Sequence, residues 1–367
     1  MSRKKVVSRG EYIIKRVLIV IGCVLAVGVI LGVTAKIVTI IGKNKLAGNA
    51  NTEGPTMTED ADSELMSDPI YASNWQEGWV SLDGKIYEYN KDIRTFMVLG
   101  IDNAHGTKGT EYEELINGGQ SDAIFLVILN PLDESIKILA VNRDTDVPVK
   151  MVGMLEGGGD AIDYAPIAIQ HSYGGGGEYS CELTRDAVSK LLYNMPIHGY
   201  MSVKYTAVPS INDAVGGVTL TLPADMDVSA VNKSWKPGAT VTLKGRDAYD
   251  FIHYRSTDEF ESQRKRLERQ KLYLKTFIKQ MKDQTKQDIK LPVTLYNSIK
   301  GDIVSDITVD EIGYMASEYS GYSFNGDDIY TMEGETQVQD DGYEHFYPYE
   351  DTLRELVIRL FYKEVEL

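Results

Sequence analysis

The stretch DAIFLVILNPLDESIKILAV, residues 122–141, decides the fold. It contains two largely apolar runs, at 123–129 and 136–141, separated by residues with the composition of a turn, and only Lys137 interrupts the second run. Continuous apolar runs are typical of strands that are covered on both faces, as in a sheet layered by helices. A third run of this kind, at 95–101, precedes them. Together they predict a buried sheet between layers of helices.

Helical patterns and short strands alternate through the rest of the chain. We predict strands at 218–222 and 240–243, and helices at 184–194, 208–215, 246–254, 261–281, 309–320 and 349–362. This alternation is typical of the α/β class, with helices packed on a sheet. The order of the strands does not follow from the sequence.

The first 42 residues combine a basic segment with an apolar one. Residues 1–16 hold six basic residues and one acidic residue, whereas residues 17–35 carry no charge. An apolar stretch of this length can cross a bilayer as a helix, and the preceding basic excess predicts a cytoplasmic amino terminus. A cleaved signal peptide is the alternative. The length of the apolar segment and the lack of a clear small-x-small cleavage site favour a retained anchor.

We therefore predict a single-pass protein of the cell membrane. Its parts are a cytoplasmic tail (1–16), a transmembrane helix (17–42), a flexible stalk (43–75) that is polar and acidic, and an extracytoplasmic domain (76–367). The residues after 45 include 29 basic and 53 acidic ones, a balance of −24. Such a balance excludes nucleic acid as a partner, since that requires a basic surface. An anionic substrate must instead be bound by a local cluster of arginines.

Charged residues stand at the ends of the three predicted sheet strands. Asp102 follows the first strand, Asp122 precedes the second, and Arg143 comes shortly after the third. Two carboxylates at strand ends suit a magnesium ion, which takes its other ligands from water and phosphate. An arginine in this position can present its planar fork to a phosphate. Simpler interpretations remain open: the acids as turn or cap residues, and Arg143 as the partner of Asp144 or Asp146 in a surface salt bridge.

The stretch HYRSTDEFESQRKRLERQ, residues 253–270, concentrates positive charge in an acidic domain. It contains four arginines, Arg255, Arg264, Arg266 and Arg269. The helical spacing of the apolar residues that begin at 267 places Gln270 on the inward face of a helix, with Arg266 beside it. Buried polar side chains of this kind require partners. Arg264 and Arg269 also fit a solvated helix face.

Six motifs resemble the LytR-CpsA-Psr family, and they occur in the order that the family shows. They are LGID (99–102), QSD (120–122), VNRDTDV (141–147), SYGG (172–175), NDAVGGV (212–218) and the stretch from YR (254–255) to RQ (269–270). The resemblance runs from about residue 96 to the carboxyl terminus, and the predicted anchor is also of the family's type.

The resemblance implies a central mixed β-sheet flanked by helices, with a long hydrophobic pocket for a polyprenyl chain. It also implies a magnesium-dependent phosphotransferase that attaches a polyprenyl-pyrophosphate-linked anionic glycopolymer, of teichoic acid or capsule type, to peptidoglycan. By this resemblance Asp102 and Asp122 hold magnesium, and Asp144 orients Arg143. The residues expected to bind the pyrophosphate are Arg143, Arg255, Arg266, Arg269 and Gln270.

The sequence departs from the family pattern at three places. Gln120 and Thr257 stand where the family usually has arginine, and the stretch 103–105 (Asn-Ala-His) lacks another common arginine. Fewer cations weaken a pyrophosphate clamp, because charge-assisted hydrogen bonds are among the stronger ones. Two functions therefore fit the sequence: a working transferase, and a non-catalytic scaffold that binds polyprenyl phosphate or wall polymer. The retained Asp102, Asp122 and Arg143 favour the enzyme.

Overall fold

The computed structural model describes residues 45–46, 48–57, 67, 69–102, 118–155, 158–226, 228–256, 262–325, 327–340 and 342–366. The predicted tail (1–16) and membrane segment (17–42) lie outside these residues, as do Thr257 and the stretch 103–105. Within the described part of the chain, no helix combines the length and the hydropathy that a membrane span requires.

Short strands and helices alternate along the described chain. The strands are β1 (Val80–Leu82), β2 (Lys85–Tyr89), β3 (Arg94–Ile101), β4 (Ser121–Asn130), β5 (Ser135–Val141), β6 (Asp146–Leu155), β7 (Gly159–Pro166), β8 (Gly199–Lys204), β9 (Val218–Thr221), β10 (Thr240–Leu243), β11 (Ile303–Ser305), β12 (Ile329–Thr331), β13 (Gly334–Val338), β14 (Glu344–Pro348) and β15 (Tyr362–Glu364). The helices are α1 (Pro69–Asn74), α2 (Glu178–Leu191), α3 (Val208–Ala214), α4 (Arg246–His253), α5 (Ser262–Thr285), α6 (Leu291–Ile299), α7 (Val309–Tyr319) and α8 (Glu350–Phe361).

A six-stranded mixed sheet forms the centre, in the order β11-β8-β3-β4-β5-β12. Strands β3, β4 and β5 are antiparallel neighbours, whereas β8 runs parallel to β3 and β12 runs parallel to β5. The small sheets are β1-β2-β15 and the pairs β6-β7, β9-β10 and β13-β14. The mixed sheet with flanking helices confirms the predicted α/β class and supplies the strand order.

Alternate side chains of β4 enter two separate cores. Ile124, Leu126 and Ile128 belong to the main core, which also contains residues of α2 and α8. Ala123 and Phe125 belong to a smaller core, together with residues of α5. Strand side chains alternate between the faces of a sheet, so β4 is covered on both sides. This two-sided burial is what the uninterrupted apolar run predicted.

Part of the predicted stalk is packed against the domain. Leu46 is 1% exposed and Met57 is 4% exposed. The backbone between them is also held, since Asn51 exchanges two hydrogen bonds with Ile197 and the Thr56 amide donates to the Tyr193 carbonyl. The prediction of a flexible stalk over 43–75 is therefore corrected for residues 46–57. The polar composition of this segment did not reveal that its two apolar residues, Leu46 and Met57, are buried. Nor did it reveal that the loop after α2 provides hydrogen-bond partners for its backbone.

Two further differences follow from local composition. Helix α2 begins at Glu178, six residues before the predicted start. Its first turn was missed because the residues buried there are the small Ser180 and Cys181 rather than large apolar ones. The hairpin β6-β7 was not predicted, because its strands are largely exposed or half-buried and show no clear apolar alternation.

Candidate active site

One edge of the central sheet gathers the predicted site residues. Because β3 and β4 are antiparallel and Ile101 pairs with Ser121, the end of β3 and the start of β4 meet at this edge. Strand β5 ends there as well, since Val141 pairs with Ile124. Asp102 directly follows β3, Asp122 is the second residue of β4, and Arg143 is two residues beyond the end of β5. Strand topology thus brings together residues up to 41 positions apart.

Asp122 lies between two arginines. Its Oδ2 accepts a hydrogen bond of 2.8 Å from Arg266 Nη1, and its Oδ1 accepts one from Arg143 Nη1. Asp122 is 7% exposed and Arg266 is 4% exposed, so water screens this pair little. Burial alone would raise the pKa of Asp122, but the two guanidinium groups hold that pKa below its usual value.

Arg143 is oriented by two further groups. Its Nη2 donates to Gln120 Oε1 at 2.6 Å, and its Nε lies 3.3 Å from Asp144 Oδ1. Gln120, where the family usually has arginine, therefore accepts a hydrogen bond from the arginine that remains. Burial raises the pKa of Asp144, and the nearby Arg143 opposes this shift. Asp144 thus lies where the resemblance expects it, beside Arg143.

His253 joins the two acids. Ligand atoms of Asp102, Asp122 and His253 all lie within 4.8 Å of one another. Nε2 of His253 is buried, is 3.5 Å from Asp102 Oδ1 and has no hydrogen-bond partner among the described residues. The ring stacks on Tyr249 at 4.7 Å and meets Tyr205 edge-on at 5.1 Å. No role was predicted for His253, because only the tertiary fold brings the end of α4 close to Asp102 and Asp122.

This cluster fits a divalent cation of the magnesium type. Magnesium in proteins is held by one or two carboxylates, and both are present here. Each ionised carboxylate oxygen has two lone pairs, so Asp122 can bind a cation while it accepts hydrogen bonds from Arg143 and Arg266. The imidazole nitrogen of His253 lies within 4.8 Å of these carboxylates, and magnesium takes its remaining ligands from water and phosphate oxygens.

Arg269 and Gln270 bind the backbone at the end of α4, next to the site residues. Arg269 donates to the carbonyls of Phe251, Tyr254 and Lys265. Gln270 Nε2 donates to Tyr205 Oη at 3.1 Å and to the Ile252 carbonyl at 3.2 Å. Both side chains are about 95% buried and tie the end of α4 to α5. Both side chains therefore hold the backbone next to His253 and Arg255, and Gln270 also lines a cleft together with Arg143 and Arg266.

The remaining predicted residues line an open cleft of about 610 Å³, called the first cleft below. Asp102, Asp122, Arg143, Arg255 and Arg266 all contribute to its wall. Arg255 is exposed to solvent as a residue, but part of its guanidinium environment is buried. This burial lowers its pKa, as do the charges of Arg266 and Arg143. Three arginines that repel one another in one cleft favour the binding of a multiply charged anion.

A buried histidine holds the loop that enters β4. His171 Nδ1 lies 3.0 Å from the Gly118 carbonyl oxygen and 3.1 Å from that of Gly119. Gly118 is packed so tightly that a Cβ atom would come within 2.4 Å of the His171 carbonyl oxygen. This packing positions Gln120 and Asp122, which follow directly.

The family profile described as LytR_cpsA_psr matches residues 49–360. The chain belongs to the LytR-CpsA-Psr family. The match starts close to Leu46, which is buried in the domain, and includes every predicted site residue. It confirms the family that the sequence motifs indicated.

Relatives of this LytR-CpsA-Psr protein carry names that state an activity. One from Bacillus cereus, named polyisoprenyl-teichoic acid–peptidoglycan teichoic acid transferase TagU, is 26% identical over 266 residues, 72% of this chain and 77% of the relative. TagV of Bacillus subtilis, with the same descriptive name, is 26% identical over 263 residues, 68% of this chain and 61% of TagV.

Solved structures share the fold of this family member. The crystal structure of Bacillus subtilis TagV superposes with a TM-score of 0.55 at 23% identity, over 74% of this chain and 96% of TagV. A structure titled "TagT bound to LI-WTA" gives a TM-score of 0.54 at 20% identity, over 74% and 90% of the two chains. These similarities confirm the mixed sheet with its flanking helices.

Proposed function

We propose that this LytR-CpsA-Psr protein is a transferase that attaches a polyprenyl-pyrophosphate-linked glycopolymer to peptidoglycan. The observation that carries the proposal is the first cleft, where Asp102 and Asp122 lie together with Arg143, Arg255 and Arg266. The names of the TagU and TagV relatives support this reaction class. Teichoic acid and capsule-type polymers both remain possible donors.

In the proposed reaction an acceptor hydroxyl of peptidoglycan attacks the phosphorus that carries the sugar. A bond forms between the acceptor oxygen and this phosphorus, and the bond from phosphorus to the bridging oxygen breaks. Polyprenyl phosphate leaves with the bridging oxygen and its electron pair, and the hydroxyl proton passes to a base or to water. Phosphoryl transfer of this kind depends mainly on positioning and on charge neutralisation.

The arginines supply both requirements. Arg266 Nη2 is a buried donor without a hydrogen-bond partner among the described residues. A buried donor without a partner is costly, so this atom favours a ligand with acceptor oxygens. Pyrophosphate offers such oxygens, and the exposed Arg255 lines the same cleft. We assign Arg143, Arg255 and Arg266 to the pyrophosphate, and Asp144, Arg269 and Gln270 to the positioning of this set.

We propose magnesium as the cofactor, held by Asp102 and Asp122, with His253 beside the two carboxylates. When bound, the ion neutralises charge on the phosphate oxygens. Asp102, whose side chain is 49% exposed, can also receive water or substrate at the cleft opening. The two arginines at Asp122 keep its carboxylate ionised and oriented for this task.

We also propose the membrane arrangement that the sequence predicts. Residues 17–42 would anchor the protein in the cell membrane, with residues 1–16 in the cytoplasm and the domain outside. Since Leu46 is already buried in the domain, only a few residues would separate the anchor from the folded part. The domain would then work close to the bilayer that holds its polyprenyl-linked substrate.

A scaffold without turnover is the second candidate, and Gln120 favours it. Its hydrogen bond to Arg143 occupies a donor that would otherwise be available to phosphate. An arginine at this position would instead add a cation to the cleft. A binder with the same fold would hold the lipid-linked polymer and release no product.

A turnover assay separates the two candidates. The full chain in detergent micelles is incubated with a polyprenyl-pyrophosphate saccharide, magnesium and peptidoglycan fragments, and polyprenyl phosphate and the glycan-acceptor product are quantified. We expect metal-dependent product that is lost in Arg143→Ala and Asp102→Ala and kept in Arg359→Ala, which changes an exposed arginine on α8. Tight donor binding without product, across several donor saccharides, would contradict the transferase and leave the scaffold.

A further inference from the structure

The end of the central sheet that lies away from the first cleft is called the anchor end below. It comprises the start of β3 and the turn after β4, where Leu46, Arg94, Pro131 and Leu132 line a cleft of about 310 Å³. Strand β3 has eight residues and is directly followed by Asp102. At about 3.3 Å per residue, the anchor end lies roughly 26 Å from Asp102 along this strand.

The chain enters the folded domain at the anchor end. Leu46 is 1% exposed and belongs to a core cluster with Phe96 and Leu129. The apolar segment that we propose as the anchor ends at residue 42, four residues before Leu46. Four residues span at most about 14 Å when they are fully extended. This short tether holds the anchor end near the bilayer and leaves the first cleft farther away.

Two turns that are bonded to each other present Leu132 to solvent. Leu132 is 68% exposed. Asn130 Oδ1 accepts hydrogen bonds from the Leu132 amide at 3.0 Å and from Asn90 Nδ2 at 3.2 Å, and Asn90 Oδ1 accepts one from the Asp92 amide at 3.1 Å. Asn90 and Asn130 are buried, so water competes little for these bonds. The exposed leucine therefore stands on a loop with a fixed conformation.

Three tyrosines lie beside this turn. Tyr314, Tyr319 and Tyr322 line the same cleft as Leu46 and Leu132, and it is called the tyrosine cleft below. Their rings meet edge-on, with centroids 6.0 and 4.9 Å apart. Tyrosine is enriched where a protein meets the boundary between membrane and water, because its ring is apolar and its hydroxyl is polar. The tyrosine cleft and Leu132 together form a surface of this kind.

The charges of the anchor end are mixed. Asp92 and Glu318 line the tyrosine cleft with Arg94, and the exposed Lys45 and Lys91 adjoin lining residues in the chain. Anionic headgroups attract segments with an excess of lysine and arginine, and the anchor end has no such excess. Contact with a bilayer would therefore depend on the tether and on apolar side chains rather than on charge.

The hairpin β6-β7 carries a competing exposed apolar surface. Ile162 and Tyr164 are 72% and 71% exposed. Tyr164 pairs with Pro148, five residues after Arg143, so this surface belongs to the end of the sheet that carries the site. The two surfaces predict opposite orientations of the domain on a membrane. The short tether at Leu46 favours the anchor end.

We propose that the anchor end rests on the outer surface of the bilayer, with Leu132 in the interfacial layer and the tyrosine cleft at the level of the headgroups. The first cleft then lies on the wall side of the domain, roughly 26 Å above this surface. The inference rests on the membrane arrangement proposed above, since it takes residues 17–42 as the anchor.

Quenching of a fluorescent label by nitroxide-bearing lipids tests this orientation. The full chain with Cys23→Ser is reconstituted in nanodiscs of phosphatidylcholine and phosphatidylglycerol that carry a nitroxide close to the headgroup. A thiol-reactive label is then attached to one introduced cysteine. Cys181 does not compete for the label, because it is 0% exposed and burial raises the pKa of its thiol to about 11.

Labels at two exposed positions compare the two ends of the domain. Lys91→Cys places the label on the anchor end and Asp163→Cys places it on the hairpin, and neither change removes an apolar residue. We expect quenching at position 91 to exceed that at 163 about fivefold, because only position 91 would lie within about 10 Å of the headgroups. Stronger quenching at 163, or equal quenching at both positions, would overturn the proposal.

A charged substitution tests whether Leu132 makes the contact. Leu132→Glu should lower the quenching at position 91 about twofold, because a carboxylate disfavours the interfacial layer. Ile162→Glu is the matched control, since it introduces the same charge at an equally exposed position of the hairpin and should leave this quenching unchanged. Equal quenching in the two variants would overturn the contact through Leu132.

The outcomes separate this inference from the proposed function. A full chain that does not stay with the nanodiscs would overturn the proposed membrane arrangement and the contact with it. An anchored chain without the expected difference between positions 91 and 163 would overturn the orientation alone. The turnover assay described above does not depend on which end of the domain faces the bilayer.

Discussion

Replacing Asp122 by asparagine removes the carboxylate between Arg143 and Arg266. The asparagine keeps the shape of the side chain but turns one acceptor oxygen into a donor that faces a guanidinium group. Because the Asp122 and Arg266 side chains are 6% and 5% exposed, water cannot replace the lost charge. Breaking a buried pair by removing one partner costs about 3–5 kcal/mol. We expect Asp122→Asn to lower the free energy of unfolding by about 3 kcal/mol, since a single acceptor remains.

Urea denaturation of the full chain in micelles, followed by tryptophan fluorescence, measures this loss. Asp83→Asn is the matched control, because Asp83 pairs with Arg359 on the surface, where the two side chains are 71% and 54% exposed. That change should alter the free energy of unfolding by less than about 0.5 kcal/mol. A loss below about 1 kcal/mol in Asp122→Asn would refute the reasoning that the arginine pair depends on this carboxylate.

The pH dependence gives an independent check of the same argument. The folded-state pKa of Asp122 is lowered, so its ionisation stabilises the protein fully above the unfolded pKa of about 3.9. This contribution is lost as the pH falls below that value and through the lower folded-state pKa. The stability difference between wild type and Asp122→Asn should therefore be largest near neutral pH and should shrink in acid. A difference that grows on acidification would contradict the assigned direction.

Three further variants test the surroundings of the site. His253→Ala removes the unpartnered imidazole, and the magnesium concentration for half-maximal activity should rise about tenfold. Arg269→Met removes the guanidinium group that binds the Phe251 and Tyr254 carbonyls at the end of α4. The value of kcat/KM should therefore fall about tenfold, while circular dichroism still shows a folded domain. Leu46→Ala empties a fully buried position, so the free energy of unfolding should fall by about 2–4 kcal/mol.

Each of these has an outcome that contradicts it. An unchanged magnesium dependence in His253→Ala would remove His253 from the metal site. If Arg269→Met kept full activity, the end of α4 would not need its anchor. A Leu46→Ala protein as stable as the wild type would restore the flexible stalk that the sequence predicted for this segment.

The sequence by itself determined the fold class, the central strands and five residues of the first cleft. Largely apolar runs indicate strands buried on both faces, so β3, β4 and β5 were predicted to within two residues at each end. Asp102, Asp122, Arg143, Arg255 and Arg266 followed from motifs in a fixed order. These are local signals, carried by neighbouring residues in the chain.

The tertiary structure alone decided how those residues act on one another. Asp122 binds Arg266 across 144 positions of sequence, and His253 lies 3.5 Å from Asp102 although 151 positions separate the two residues. Arg269 and Gln270 turn to backbone carbonyls because the chain brings the end of α4 against α5. Such partners depend on which elements pack together, and no local pattern of residue types encodes that packing.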